Sequence, residues 1–313
     1  MKINSNSSFN KILFFGFIIL IATPFYWINS LISLVLGLLF AVILGNPYQE
    51  RTSEITKYLL QFSVIGIGFG TSLTAATEIG KESFYWVFVF VLLTLFVGYL
   101  LGKFFGIERT ISDLITAGTS ICGGSAIAAI SPVIKANEKQ ISVSLGTIFV
   151  LSALGLLVFP IVGDLLDMSQ DDFGLWAGLA IHDTSSVLGA ASDYGERSLE
   201  VATTVKLARV LFIIPLVFLG SFLYKGKDTK FTFPYFILFF LVAMYINSSL
   251  PQYSETFTEI KFLAKKGLQI TLFLIGASLS IENLKSVGVK PFFQGFLLWL
   301  LISIFSLIVV INI

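Results

Sequence analysis

Charged side chains are scarce in this chain. Asp, Glu, Lys and Arg make up 12% of its 313 residues, against about 25% in soluble globular domains. Cysteine and histidine are scarcer still, with one residue of each, Cys122 and His182. A lone cysteine excludes an intramolecular disulfide and a multi-cysteine metal site, and a lone histidine excludes a His-rich metal cluster. A formal net charge of +1, without a basic patch interleaved with aromatics, argues against a nucleic-acid partner. Soluble segments hold no Gly-rich phosphate loop, and no loop is long enough for a nucleotide-binding domain, so the chain by itself is not an ATP-driven machine. The residues call for no cofactor and no metal.

What is present is apolar. Hydrophobic residues make up 56% of the chain and the mean hydropathy is +0.90, which places the protein in a lipid bilayer. With about 20 apolar residues needed per crossing, segments fall near 12–28, 31–45, 57–75, 83–102, 111–134, 139–163, 173–193, 199–223, 232–248, 262–280 and 291–312. The expected fold is therefore an all-α polytopic membrane protein with about 11 transmembrane segments, read as one domain over 1–313. No small-residue cleavage site follows the first run, so 1–30 is expected to be an additional, uncleaved N-terminal span.

Two segments are poor lipid-facing helices. Thr119-Ser120-Ile121-Cys122-Gly123-Gly124-Ser125 lies inside 111–134, and His182-Asp183-Thr184-Ser185-Ser186 inside 173–193. Non-helical backbone at membrane depth survives only where protein or a water-filled cavity satisfies it, so both segments are expected in the interior as interrupted or re-entrant helices. Lys and Arg cluster at Arg51, Lys57, Lys103, Arg109, Lys225, Lys227 and Lys230, whereas 164–172 holds four aspartates and no base. The positive-inside rule then puts the N-terminus in the cytoplasm. Lys135 and Lys139 agree with that orientation if 111–134 is a hairpin and disagree if it crosses.

An internal echo links Ile67–Thr74, followed by Glu78 and Gly80, with Leu274–Ser280, followed by Glu282 and Gly288. Under simple alternation these ends point in opposite directions, the mark of inverted repeats. A weaker echo relates 116–160 to 180–220; the approximate repeat halves are 31–163 and 164–313, although the two echoes do not assemble into one clean five-plus-five repeat.

At Gly118–Ala129 and again at Gly178–Ala191, with Val205-Lys206-Leu207-Ala208-Arg209 beside them, the chain resembles the YeiH-type family of bacterial inner-membrane proteins, which are named as candidate sulfate exporters. That family is grouped with the cation-proton antiporter and anion transporter superfamily. The resemblance implies inverted repeats, a scaffold part, a transport part with interrupted helices, and, from elevator-type relatives, a homodimer. The expected activity is secondary active transport, in the export direction, of a small sulfur-containing oxyanion coupled to a proton or sodium ion.

The residues add their own case. Helix N-termini at the breaks favour anions, glycines let backbone approach a ligand, and hydroxyls add donors without a full charge. The candidate substrate contacts are Thr119, Ser120, Cys122, Gly123, Gly124, Ser125, Thr184, Ser185, Ser186, Lys206 and Arg209. His182 and Asp183 are the candidate coupling residues, since ionisable groups inside a span default to function and an unperturbed imidazole titrates near neutral pH. Lys206 and Arg209 are three apart on one helical face and are expected either to pair with Asp183 or to draw the anion. Plainer roles stand beside these: small residues for close helix packing, Asp183 as a helix cap toward Ser185 or Ser186, and Lys206 and Arg209 snorkelling to an interface. A cation-proton antiporter is the main alternative, and an intramembrane enzyme using Cys122 or the His182-Asp183 pair the lesser one. The chain is expected not to be an enzyme.

Overall fold

The computed structural model describes residues 8–24, 27–224, 235–279 and 288–312. Among them every regular element is helical. The basic residues 225, 227 and 230 and the echo positions Ser280 and Glu282 lie outside the described residues. Among the described residues four helices are long and apolar enough to cross a bilayer, and a fifth if two helices bent by 98° at 249–251 are counted as one. The chain divides into two compact units, 1–76 with 234–281, and 77–233 with 282–313.

The first unit holds α1 (Ser8–Ala22), α2 (Ser30–Ile43), α3 (Gln49–Gly68), α12 (Tyr235–Ser249) and α13 (Ser254–Ser278). Phe14, Phe40 and Phe273 pack ring against ring, joining α1, α2 and α13. The echo has a packing cause. Gly68 lies against the backbone and ring of Phe240 on α12, and Gly276 lies against the backbone of Leu34 and Leu38 on α2. The second helix of each pair thus takes the first helix of the other pair through a glycine. A Cβ on Gly37, which faces Gly276, would stand 2.0 Å from the Phe273 carbonyl oxygen. Gly37→Ala is therefore expected to push α2 off α13 and to cost about 1–3 kcal/mol, typical of overpacking. A lowered thermal midpoint in detergent reports it, and an unchanged midpoint would show that the two helices slide apart freely.

The second unit holds the body of α4 (Leu73–Phe104), then α5 (Arg109–Ser120), α6 (Gly124–Ile130), α7 (Glu138–Leu165), α8 (Gln170–Ala180), α9 (Thr184–Tyr194), α10 (Glu196–Val210), α11 (Ile213–Tyr224) and α14 (Val289–Ile311). Register along α7 and α10 fixes what the polar segments are. Gln140 of α7 donates to Glu108, Ser144 stands by Ile111, and Ile148 meets Gly118, so α5 and α7 run parallel. The chain must come back between them, and α6 is the return leg, with Ile127 against Gly118. In the same way Gln170 meets Arg197, Gly174 meets Val201 and Gly178 meets Val205, so α8 and α10 run parallel. Here α9 is the return leg. Tyr194 stacks on Phe173 at 3.8 Å and donates to the Met168 carbonyl at 2.8 Å.

Both polar segments are therefore re-entrant hairpins that leave by the end at which they entered, and neither is one of the eleven expected crossings. The first opens at the end carrying Arg109, Lys135 and Lys139. The second opens at the opposite end of α7, where Gly163 faces Phe173 and Tyr194. With about 1.5 Å per residue, the 28 residues of α7 span about 42 Å, so the two tips reach its middle from opposite sides. α4 runs toward the open end of the first hairpin, with Gly98 at Thr116 and Gly102 at Ser112. α14 runs away from it, from Phe293 beside Phe105 to Ser303 beside Trp176. In chain order, α4 precedes the first hairpin and α7 follows it, whereas the second hairpin is followed by α10–α11 and, last, by α14.

Candidate functional site

The first tip, Ile121 to Gly123, ends α5 by turning the backbone over. The Gly123 N–H donates to the Gly118 carbonyl at 2.8 Å, and Gly123 has φ of +65°, a conformation natural to glycine. Helix α6 then starts without a side-chain cap. At the second tip, Ile181 to Asp183, the Asp183 carboxylate accepts from the Ser185 N–H at 3.0 Å and from the Ser185 hydroxyl, capping α9. Its own N–H donates to Ser152 Oγ of α7 at 3.2 Å. The tips touch: a Cβ on Gly123 would lie 3.2 Å from the Asp183 Cα.

Two buried cations of α10 hold them there. Arg209 is 1% exposed and Lys206 0%. The Arg209 guanidinium donates to the carbonyls of Thr119 and Ser120, at the end of α5, and of Gly178 and Leu179, at the end of α8. Lys206 Nζ donates to the carbonyls of Ile181 and His182. The last carbonyls of a helix have no partner within it and carry the negative end of its dipole. One arginine satisfies two such ends at once, one from each hairpin.

The model of a family described as Conserved hypothetical protein 698 matches residues 12–308. The chain belongs to that family. It is 49% identical over 286 residues to a UPF0324 membrane protein of Bacteroides thetaiotaomicron, covering 90% of this chain and 86% of the relative. It is 47% identical over 285 residues to a UPF0324 membrane protein of Bdellovibrio bacteriovorus, covering 89% and 88%. A third, from Geobacter sulfurreducens, is 45% identical over 289 residues and covers 92% of each chain. No solved structure matches. Membership agrees with the resemblance drawn from the motifs, and this family member is a multi-pass membrane protein.

The expected site residues of this UPF0324 relative all lie at or next to the two tips, yet not all are available to a ligand. Arg209 makes five bonds with the five N–H donors of a guanidinium, all to backbone carbonyls. Lys206 donates to two carbonyls, of Ile181 and His182. Neither makes an ion pair with Asp183 among the described residues; their partners are carbonyls, because two helix ends and a tip need donors that no backbone supplies. Asp183 is a helix cap, as its plainer reading had it. Ser120 Oγ donates back to Ala117 at 3.0 Å, and Ser185 is held by Asp183. Cys122, Thr184 and Ser186 are buried, Gly124 is half-buried, and Ser125 is exposed on α6.

Two site residues keep unmatched polar atoms. Thr119 Oγ1 and both ring nitrogens of His182 find no partner among the described residues. Sequence reasoning missed Ser152, which anchors the second tip from α7, and Gln294, which ties α14 to Gly98, Ser112 and Thr116. A serine in an apolar helix gives no signal, because it can also bond its own backbone. A glutamine deep in α14 was the better clue, since polar groups inside a span bridge helices.

Proposed function

We propose that this protein is a secondary transporter of a small oxyanion, sulfate, sulfite or a related sulfur-containing anion, and works by alternating access coupled to a proton or sodium ion. One observation carries the reading: two buried cations and one buried carboxylate meet at the tips of two oppositely inserted hairpins. Each helix end contributes roughly half a unit charge. The two C-terminal ends and the two N-terminal ends at the tips cancel to first order, which leaves a surplus of about one positive charge. An anion offsets it.

A cation-proton antiporter fits less well, because Asp183 already serves as the cap of α9. An enzyme fits less well again, since among the described residues the ring of His182 makes no hydrogen bond to Cys122 or Asp183 and Asp183 is engaged as a helix cap. The hairpin geometry brings Lys135 and Lys139 to the same end as Lys103 and Arg109, away from Asp164, Asp167, Asp171 and Asp172. That end is the cytoplasmic one by the positive-inside rule. The setting is the bacterial inner membrane, the direction is export, and the assembly is a homodimer.

Anion-dependent thermal stabilisation and flux into sealed vesicles test the proposal together, since a ligand at 100 times its Kd adds about 2.7 kcal/mol to native stability. Asp183→Asn separates the two transport classes. Asparagine caps a helix about as well as aspartate, so the fold is expected to hold while the surplus charge rises by one. Anion affinity should then increase about tenfold, the equivalent of about 1.4 kcal/mol. A variant that loses anion binding, or a wild type that is stabilised by cations alone, would sink the oxyanion reading.

A further inference from the structure

The two hairpins share a topology but are not held to the same degree. Every residue of the second return leg from Thr184 to Ala191 is buried, its start is capped by Asp183 and tied to Ser152, and its end is joined to its own entering leg by Tyr194, which stacks on Phe173 and bonds the Met168 carbonyl. The first return leg has less to fix it. Helix α6 is seven residues long, below the about 12–15 residues under which an isolated helix is marginal. Ser125 and Ala128, three apart on one face of it, are exposed. Left-handed backbone brackets the leg, at Gly123 with φ of +65° and at Lys135 with φ of +55°. Hinges are a few residues of this kind at the ends of elements.

What lies over α6 is α11. Gly220 sets the contact, because a Cβ there would stand 2.7 Å from Ile130 Cδ1 and 3.2 Å from Val133 Cγ1. Four residues on, and so on the same face of α11, Tyr224 donates its phenol O–H to the Asp113 carboxylate of α5. Arg109 completes the attachment, with Nε 3.6 Å from the same carboxylate oxygen and its guanidinium carbon 5.1 Å from the centre of the Tyr224 ring. One face of α11 thus rests on the return leg and is fastened to the entering leg. Taking the transporter reading as its basis, we infer that residues 124–134 are the gate between the tips and the end that carries Arg109, and that α11 is a strap across this gate, buckled by Tyr224 onto Asp113. Releasing the buckle frees α6 to swing about Gly123 and Lys135, while α5 stays held at its tip by Arg209. The buckle lies at the surface, with the Arg109 side chain 68% and the Asp113 side chain 28% exposed, so water replaces the phenol when the strap lifts and no buried acceptor is orphaned.

The test reads Cys122, the single cysteine of the chain, which lies at the first tip and is 1% exposed. N-ethylmaleimide is added to the purified full-length protein without a candidate substrate, and the rate of labelling follows the fraction of molecules open at that tip. Tyr224→Phe removes one O–H, roughly 13 Å along α5 from the thiol, and is expected to speed labelling about tenfold, in the range of a lost hydrogen bond to a charged group. Gly220→Leu, which forces α11 off α6, is expected to speed it further. Tyr194→Phe, at the mouth of the second hairpin, should leave the rate near that of the wild type. Hydrogen exchange is the second measurement: it should be faster over 124–134 than over 184–191 in the wild type, and Tyr224→Phe should raise it in 124–134 alone. Faster exchange in both legs, or equal labelling of Tyr194→Phe and Tyr224→Phe, overturns the assignment of the gate to the first hairpin. A wild-type labelling rate in both Tyr224→Phe and Gly220→Leu overturns the strap and leaves the transport reading standing. Labelling that responds as expected in a protein that moves no anion in sealed vesicles supports the strap and removes the transport reading.

Discussion

Arg209→Leu is expected to leave almost no correctly folded protein. The guanidinium serves the carbonyls of Thr119, Ser120, Gly178 and Leu179, all of them on buried residues at the ends of two helices. Each buried acceptor left unsatisfied costs about 1–3 kcal/mol, and four together approach the about 5–15 kcal/mol by which whole domains are stable. Lysine at this position brings three donors on a compact head in place of a planar fork of five, so Arg209→Lys should hold one helix end and release the other. Size-exclusion profiles and thermal midpoints in detergent should rank wild type, Arg209→Lys and Arg209→Leu in that order. A wild-type midpoint for Arg209→Leu would show that the hairpin tips do not depend on the clamp.

Gly123→Leu is expected to abolish transport, with flux down at least about 100-fold, while the protein still inserts. Its φ of +65° costs a side chain about 1–2 kcal/mol, and a Cβ there stands 3.2 Å and 3.3 Å from the Cα and Cβ of Asp183. The larger effect is positional. A leucine at that point separates the two tips, and misplacing binding groups by about 1 Å costs a site about 100-fold. Gly124 gives the contrast, although the sequence treats the two glycines alike. Its added Cβ would make only ordinary contacts at 3.4 Å with Leu145 and Phe149, on a helical backbone. Gly124→Ala is therefore expected to retain most flux and Gly123→Ala to lose most of it. Equal flux through the two alanine variants in sealed vesicles would remove the tip contact from the mechanism.

The membrane class, the helical composition and the place of both polar segments were legible in the residues, because burying so much apolar surface and so few charges leaves no other environment. Legible too was the echo of Gly68 and Gly276, since close helix approach demands glycine wherever it recurs. Whether Thr116–Ala129 and Ala180–Ala191 cross or return was not legible. Local sequence encodes a break at Gly123 or Asp183, but the direction taken after a break depends on which helix the return leg packs against, and only the parallel register of α5 with α7 and of α8 with α10 decides it. The sequence determined on its own that Lys206, Arg209, His182 and Asp183 are costly in an apolar interior and must have partners. Tertiary structure alone decided who those partners are, giving the two cations to carbonyls at helix ends, Asp183 to the start of α9, and none among the described residues to the ring of His182, because a helix end's need for a hydrogen bond is met by whatever folds beside it.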